Sequence, residues 1–491
     1  MTVKRIAIIG GGLSGASAAV QLVRKSPVPL EIIVVEPRDQ IGPGLAYSNA
    51  NPGFRLNSHA GFHSIDVADP GHLIRWCEVN RLREADPKAV APNGQLFIRR
   101  SDYGRYLSET VDAHSRWQPT GSTISHRQST VSEIHASTDA ITLELQGGHT
   151  IEADQVILAT GNPPPRLPSF LAGNLAGCDR VWANPLDANG LNGIAPEWRV
   201  LVVGAGLTAL DVVASLLTHG HKGGVVAVSR RGLRPRPQPP NIFAPPAQAS
   251  GPVILPLDLL NGPLPTYVSN DPAEPSALRW MQGLREHVRA LEAEGQSWHA
   301  AFDAFAVTVS RCWPLLPLGE QLRFLRRLRP WYDAHRFRSP PMTDAVVHEA
   351  EKRGQVAYRS ATPRSVSTNT NGTLQVTLAS KQGSVGTETF DAIVNCSGLE
   401  AGATVEGNPL LRSLARRGVL VQHPTGLGFV VDKDCRAVSA DGLSSPRIRV
   451  IGPSTAGVFG DPLGVIFISA QIHRMIPDLL ADLVYQRSAA K

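Results

Sequence analysis

Cysteine is scarce in this chain of 491 residues. Cys77, Cys178, Cys312, Cys396 and Cys435 are odd in number and far apart, with no C-x-x-C pair. That excludes a disulfide framework, a zinc site and a dithiol redox centre. It leaves reduced thiols and a cytoplasmic location as the expectation. No segment holds 18 apolar residues in a row, so no membrane span is expected. Lys4 and Arg5 before an apolar run imitate a signal peptide, but the glycines and the strand that follow account for that run better. Basic residues do not interleave with aromatics in a stripe, which argues against nucleic acid. The net charge of +6 is a mild excess that anionic small molecules would explain. No metal-ligand cluster stands out. With 42% hydrophobic and 18% charged residues, a soluble globular chain of two or three domains is expected.

The informative stretch is KRIAIIGGGLSGASAAVQL, Lys4 to Leu22. Ile6 to Ile9 reads as a buried parallel strand. Gly10, Gly12 and Gly15 follow as G-x-G-x-x-G, then a helical face carried by Ala16, Ala19 and Val20. The first glycine allows the turn, the second lets backbone approach a pyrophosphate, and the third lets helix and strand pack closely. The helix N-terminus favours the phosphate charge. A second apolar strand, Glu31 to Val35, ends in Glu36, which lies 36 − 15 = 21 residues past the third glycine. A carboxylate there accepts hydrogen bonds from a ribose. Strand, glycines, helix, strand and acid fall in the order of a dinucleotide fold. A strand-to-helix turn without ligand is the bland alternative.

The pattern then repeats. Val200 to Val203, Gly204, Gly206 and Ala209 match the opening stretch at an offset of 204 − 10 = 194. The strand Val225 to Val228 leads to Arg230, 230 − 209 = 21 residues past the motif, where the first copy has an acid. A guanidinium suits a 2′-phosphate, whereas a carboxylate repels it. The first site is therefore expected to take FAD and the second NAD(P)H, with NADPH favoured by Arg230. A solvated surface arginine is the alternative, and Arg234 and Arg236 read as surface charge.

Between and beyond the repeats, Asp39 to Ser64 is loop punctuated by glycine and proline. Asn57, Ser58 and His59 are polar candidates to meet a flavin ring or, equally, to satisfy loop backbone; His63 has less support. Helices are expected over Leu73 to Val79 and Tyr103 to Ala113, the second capped by Ser101 or Asp102. Residues 121–158 read as an antiparallel meander returning to the main sheet. Gly161, after the strand Gln155 to Leu158, marks a domain crossing at the cofactor. Ile393 to Gly398 looks like the return crossing, with Cys396 a buried inert thiol. A last strand, Ile448 to Ile451, leads to Asp461 and a helix from Val465 to Leu480. Asp461 or that helix N-terminus is a candidate to meet the ribityl chain or flavin carbonyl, or to be a helix cap.

The fold class expected is α/β, with two Rossmann-like dinucleotide-binding domains and an inserted helical subdomain. The first domain takes 1–165 and 399–491, the second 166–235 and 346–398, and the proline-rich helical insert 236–345. In the insert, Leu278, Met281, Leu284, Val288 and Leu291 are expected to line one helix face. RFLRRLRPWYDAHRFRSPP is dense in arginine. It is either an anion or substrate wall beside the cofactors or a solvated face pairing with Asp333 and Glu320.

GGGLSG, IGPGLAYS, LNSHA, RRSDYGRYL, ATGNPP, GAGLTALD, SRRGLRPRP, RPWYDAHRFR and IVNCSG together resemble the two-dinucleotide flavoproteins. More narrowly they resemble a bacterial family of FAD/NAD(P)-binding proteins that includes FAD-dependent monooxygenases of urate-hydroxylating and amino-acid N-hydroxylating types. The long histidine-containing signature of the larger flavin monooxygenase family has no clear match. The resemblance implies FAD, NAD(P)H and molecular oxygen. The activity expected is hydroxylation of a small polar or nitrogen-rich substrate through a flavin C4a-hydroperoxide. Its nucleotide-binding positions carry over to Gly10, Gly12, Gly15, Glu36, Gly204 and Gly206. No residue stands out as catalytic, because the flavin carries the chemistry. A reductase passing electrons to a quinone or protein partner, and a nucleotide sensor without turnover, are the other readings.

Overall fold

The computed structural model describes residues 3–116, 120–136, 140–162, 165, 167–172, 175, 178–187, 190–239, 260–269, 275–398, 403–460 and 464–485. Asp461 lies outside the described residues. The chain opens with β1 (Lys4–Ile9), β2 (Leu30–Val35) and β3 (Thr123–Arg127). A small meander of β4 (Val131–Ala136), β5 (Ile141–Leu145) and β6 (Thr150–Ala153) follows, then β7 (Gln155–Leu158). Near the other end stand β15 (Arg436–Val438) and β16 (Ser444–Val450). They form a first sheet in the order β15-β16-β7-β1-β2-β3, with β4-β5-β6 as a separate antiparallel sheet. β1 pairs in parallel with β2 and β7, as buried apolar runs do.

The second sheet holds β8 (Val181–Trp182), β9 (Val200–Val203), β10 (Val225–Ser229), β11 (Val356–Thr368), β12 (Leu374–Ser380), β13 (Val385–Phe390) and β14 (Ala392–Asn395). Its order is β13-β12-β11-β10-β9-β14-β8. β9 lies parallel between β10 and β14, as β1 lies between β2 and β7. Both glycine motifs thus leave a central strand, the place where open parallel sheets bind ligands.

The described part of the insert is helical, and the structure differs from expectation there and in the first domain. In the helix Ala277–Ala293, Leu278 is 48% exposed, while Trp280 and Leu284 are buried against Phe302, Phe305 and Tyr332. The true stripe is set by the large indole rather than by Leu278. The helix Pro341–Lys352 straddles residue 345, and its Val347 and Ala350 are buried in the core of the second sheet with Val200 and Val212. The helix Arg100–Arg116 starts before Ser101 and Asp102, so these lie in its first turn instead of capping it. β3 falls within the stretch expected to be an antiparallel meander but instead extends the first sheet in parallel beside β2. Among the described residues no helix is long and apolar enough to cross a membrane, and no group of His, Cys, Asp and Glu has the arrangement of a metal site.

The two sheets are tied by the loop that precedes the Arg100–Arg116 helix in space. Phe54 is fully buried in the second sheet's core. Asn49 Nδ2 donates to the Asp187 carbonyl (2.8 Å), and Ser215 Oγ donates to Asn51 Oδ1 (2.9 Å). Arg100 pairs with Asp211 on the helix Leu207–Thr218 at 2.7 Å.

Candidate active site

Both glycine motifs are built as close approaches. Gly10 sits at φ +102, and a Cβ there would lie 2.4 Å from the Ala159 carbonyl oxygen. Gly204, at φ +126, would meet the Cys396 carbonyl oxygen at 2.0 Å. The partners are equivalent: each is the residue just past the neighbouring strand, β7 or β14. A Cβ on Gly15 would fall 2.0 Å from the Gly10 carbonyl oxygen, so the third glycine is needed for helix-on-strand packing.

The helices behind the motifs begin at Leu13 and Leu207. Gly12 and Gly206 are their caps, neither has a side-chain cap bond, and neither first turn holds an acid. Their first N–H groups are left for an external anion. Space above Gly206 is open, with no atom within 4 Å of a Cβ there. This is the fit a pyrophosphate requires at each motif.

The positions just past β2 and β10 carry opposite charges, Glu36 and Arg230. Glu36 is 3% exposed; its Oε2 accepts from the Gly11 N–H (2.8 Å), and its Oε1 accepts from the Arg38 backbone N–H and guanidinium (3.1 and 2.9 Å). That fixes the carboxylate at the rim of the first motif. Arg230 is exposed at the end of β10, with no side-chain partner among the described residues. Its neighbours are engaged: Arg231 donates to the Arg327 carbonyl, and Arg234 pairs with Asp344 (2.5 Å) and Glu351 (3.2 Å). Arg234 is therefore a structural tie rather than plain surface charge. Two strands over, Lys381 is also exposed without a side-chain partner; Ser380 pairs with Ala361, and Ser360 Oγ donates to the Arg230 carbonyl.

Both motifs open onto one cleft of ≈ 3830 Å³. Ordinary small-molecule pockets hold roughly 300–1,000 Å³, so this one has room for two dinucleotides and a substrate. Gly10, Gly12, Glu36, Asn57, Gly161, Gly204, Gly206 and Arg230 all line it. Gly15 does not, in keeping with its packing role. Gly161, at φ +65, has open space where a Cβ would be.

Of the loop candidates, Asn57, Ser58 and His63 line the cleft and His59 does not. His59 Nδ1 accepts from the Gly61 N–H and caps a short turn, so for this residue the backbone-satisfying role holds. Burial pushes His59 down to about 3 and His63 to about 4, so both imidazoles are neutral at physiological pH. Cys396 is buried and its thiol is raised by desolvation, as expected of an inert packing residue.

The arginine-rich segment divides between the two expected roles. Arg326, Arg327, Arg329, Arg336 and Arg338 line the cleft with Trp331. Arg329 also pairs with Asp333 (3.1 Å) and Arg323 with Glu320 (2.6 Å). Arg338 is buried against Asp303. Gln238, beside it, carried no signal in the sequence. The Arg100–Asp211 pair did leave one, a lone acid inside the apolar run LTALDVVASLL.

The chain matches the FAD-NAD(P)-binding family model over residues 7–163. It matches the L-lysine 6-monooxygenase/L-ornithine 5-monooxygenase model over 91–240. No curated protein sequence matches it. Solved structures share the fold at low identity. An ornithine N-hydroxylase from Kutzneria sp. 744 is 17% identical, covering 100% of each chain at a TM-score of 0.61. The L-lysine 6-monooxygenase of Pseudomonas syringae is 16% identical over 98% of this chain and 100% of its own, at 0.59. The reduced ornithine hydroxylase of Pseudomonas aeruginosa is 15% identical, with coverage of 98% and 100% and a TM-score of 0.58.

Proposed function

We propose that this chain, an FAD- and NAD(P)H-dependent flavoprotein oxidoreductase related to the lysine and ornithine monooxygenases, hydroxylates the amine nitrogen of a small amino-acid-like substrate with NADPH and molecular oxygen. The observation that carries the reading is the single cleft onto which two dinucleotide cradles of opposite ribose charge both open. Of the two substrate options raised by the resemblance, the family match over 91–240 supports the amino acid over the urate-like heterocycle.

Bound FAD would supply hydride acceptance and oxygen activation. The chain's own residues bind and orient. Gly10, Gly12 and the start of the Leu13–Lys25 helix take the FAD pyrophosphate, and Glu36 its ribose. Gly204, Gly206 and the Leu207–Thr218 helix take the NADPH pyrophosphate, with Arg230 and Lys381 at the 2′-phosphate. A nitrogen must be unprotonated to be nucleophilic, and the cations of Arg326, Arg327 and Arg336 disfavour an ammonium beside them. Leu291, Val307, Phe337 and Phe467 give the same cleft apolar wall, which excludes water.

The test is NADPH oxidation by FAD-loaded protein with L-ornithine, L-lysine and diamines, with the product mass measured. A hydroxylated amine formed in step with NADPH consumption is expected. NADPH oxidation that yields only hydrogen peroxide or a reduced quinone with every amine tried would replace this reading by a non-oxygenating reductase.

A further inference from the structure

A large aromatic side chain stands open where the insert meets the second cradle. Trp331 lies on the helix Arg329–Arg336, is 50% exposed and lines the cleft. Its neighbour Tyr332 is buried in the insert's core with Phe302 and Phe305, whereas Trp331 joins none of the buried clusters formed by the described residues. Its ring contact among the described residues is the Arg231 guanidinium, 5.9 Å from the ring centroid. Single exposed apolar residues on an outer surface need no explanation. A half-open indole on the wall of a ligand cleft is a ready apolar platform.

Arg231 links that platform to the end of β10. The chain turns sharply there: Gly232 has φ +63, and a Cβ on it would lie 2.9 Å from the Ser360 backbone nitrogen. Its N–H donates to Ser229 Oγ (3.0 Å). Arg230 and Arg231 are the two residues carried by this turn. Arg231 crosses to the insert, where its Nη1 donates to the Arg327 carbonyl (2.8 Å) inside the π-helical turn Phe324–Leu328. Turns of that kind are frequent at functional sites. Trp331 thus stands beside the residue that follows Arg230.

In NADPH the adenine base and the 2′-phosphate sit on adjacent carbons of one ribose. A phosphate held by Arg230 therefore brings the base next to Arg231 and Trp331. A purine is flat, and it stacks on an indole and on the plane of a guanidinium. We infer that Trp331 is the adenine platform of the NADPH site, with Arg231 bracing the insert against the β10 turn at its edge. The coenzyme is then held by the insert as well as by the second domain. The inference rests on the seat proposed for the 2′-phosphate at Arg230 and is independent of which substrate is hydroxylated.

The experiment is titration of FAD-loaded protein with NADPH, NADH, 2′,5′-ADP and reduced nicotinamide mononucleotide, which lacks the adenosine half. Trp331→Ala should weaken NADPH, NADH and 2′,5′-ADP by about tenfold or more, the scale of a lost base–aromatic stack, and leave the mononucleotide unchanged. This differs from Arg230→Ala, which should spare NADH. Trp331→Phe keeps a flat ring and should recover most of the affinity. In the wild type 2′,5′-ADP should quench a part of the tryptophan fluorescence that is missing from Trp331→Phe. Affinities for NADPH and 2′,5′-ADP untouched by Trp331→Ala, or a mononucleotide weakened as much as NADPH, would overturn the platform and leave the indole as a wall of the substrate space. The readings fail separately. A wild type that binds neither NADPH nor 2′,5′-ADP sinks the nucleotide assignment and the platform with it. Nucleotide titrations as expected without any hydroxylated product sink the proposed reaction alone.

Discussion

Removing the Arg100 guanidinium should loosen the two nucleotide-binding halves from each other, and the size of the effect follows from burial. Asp211 is 2% exposed and the Arg100 side chain 16%. Desolvation raises the Asp211 carboxyl from 3.8 to about 6, although Arg100 opposes the shift by charge and hydrogen bond. Burial therefore wins even with the partner 2.7 Å away. That rise makes the ionised carboxylate, relative to the neutral acid, about 3 kcal/mol worse off in the folded protein than in the unfolded chain. In Arg100→Met the carboxylate has no counter-charge, and the loss should reach about 3–5 kcal/mol at pH 7.5. The double variant Arg100→Met/Asp211→Leu removes both charges and should return to within about 1 kcal/mol of wild type or exceed it. Urea unfolding followed by flavin and tryptophan fluorescence measures all three. The pH dependence has a definite sign. A carboxyl with a raised folded-state pKa stabilises most fully below pH 3.8, and that contribution is lost as pH rises through about 6. Asp211→Asn should flatten this part of the stability profile. A single variant no less stable than the double, or a profile unchanged by Asp211→Asn, would refute the reasoning.

Arg230→Ala should weaken binding of NADPH by roughly 10- to 150-fold and of NADH hardly at all, the range expected for a lost bond to a charged group; direct titration of both nucleotides checks it, and an equal effect would remove the 2′-phosphate assignment. Gly204→Ala places a Cβ 2.0 Å from the Cys396 carbonyl oxygen at φ +126. It should abolish NADPH binding while FAD stays bound, as absorbance and nucleotide titration would show. His59 and His63, held near 3 and 4, should leave no inflection between pH 6 and 8 in the rate profile, and imidazole NMR titration should find both neutral there.

How much could be read from the sequence depended on how local each signal was. The two cradles were legible because steric need is local: Gly10 and Gly204 stand where no side chain fits, and the spacing to Glu36 and Arg230 is set by one strand–helix–strand unit. The single cleft was not legible, since it depends on how two units 194 residues apart are set against each other by Phe54, Asn49 and Asn51. Gln238 sits in a proline-rich stretch with no periodicity, so only the bridge to Ser339 reveals its place beside Arg338. The face of the Ala277–Ala293 helix was misassigned at Leu278 because a stripe of Leu, Met and Val fits more than one rotation, and only the packing of Trp280 decides between them.

The decisive measurement is the fate of labelled oxygen. FAD-loaded protein supplied with NADPH, a diamino acid and ¹⁸O₂ should give a hydroxylamine product carrying one ¹⁸O atom on the amine nitrogen, with one NADPH consumed for each product formed. Label recovered only in hydrogen peroxide or water, with the amine unchanged for every diamino acid and diamine tested, would contradict a monooxygenase built on this cleft.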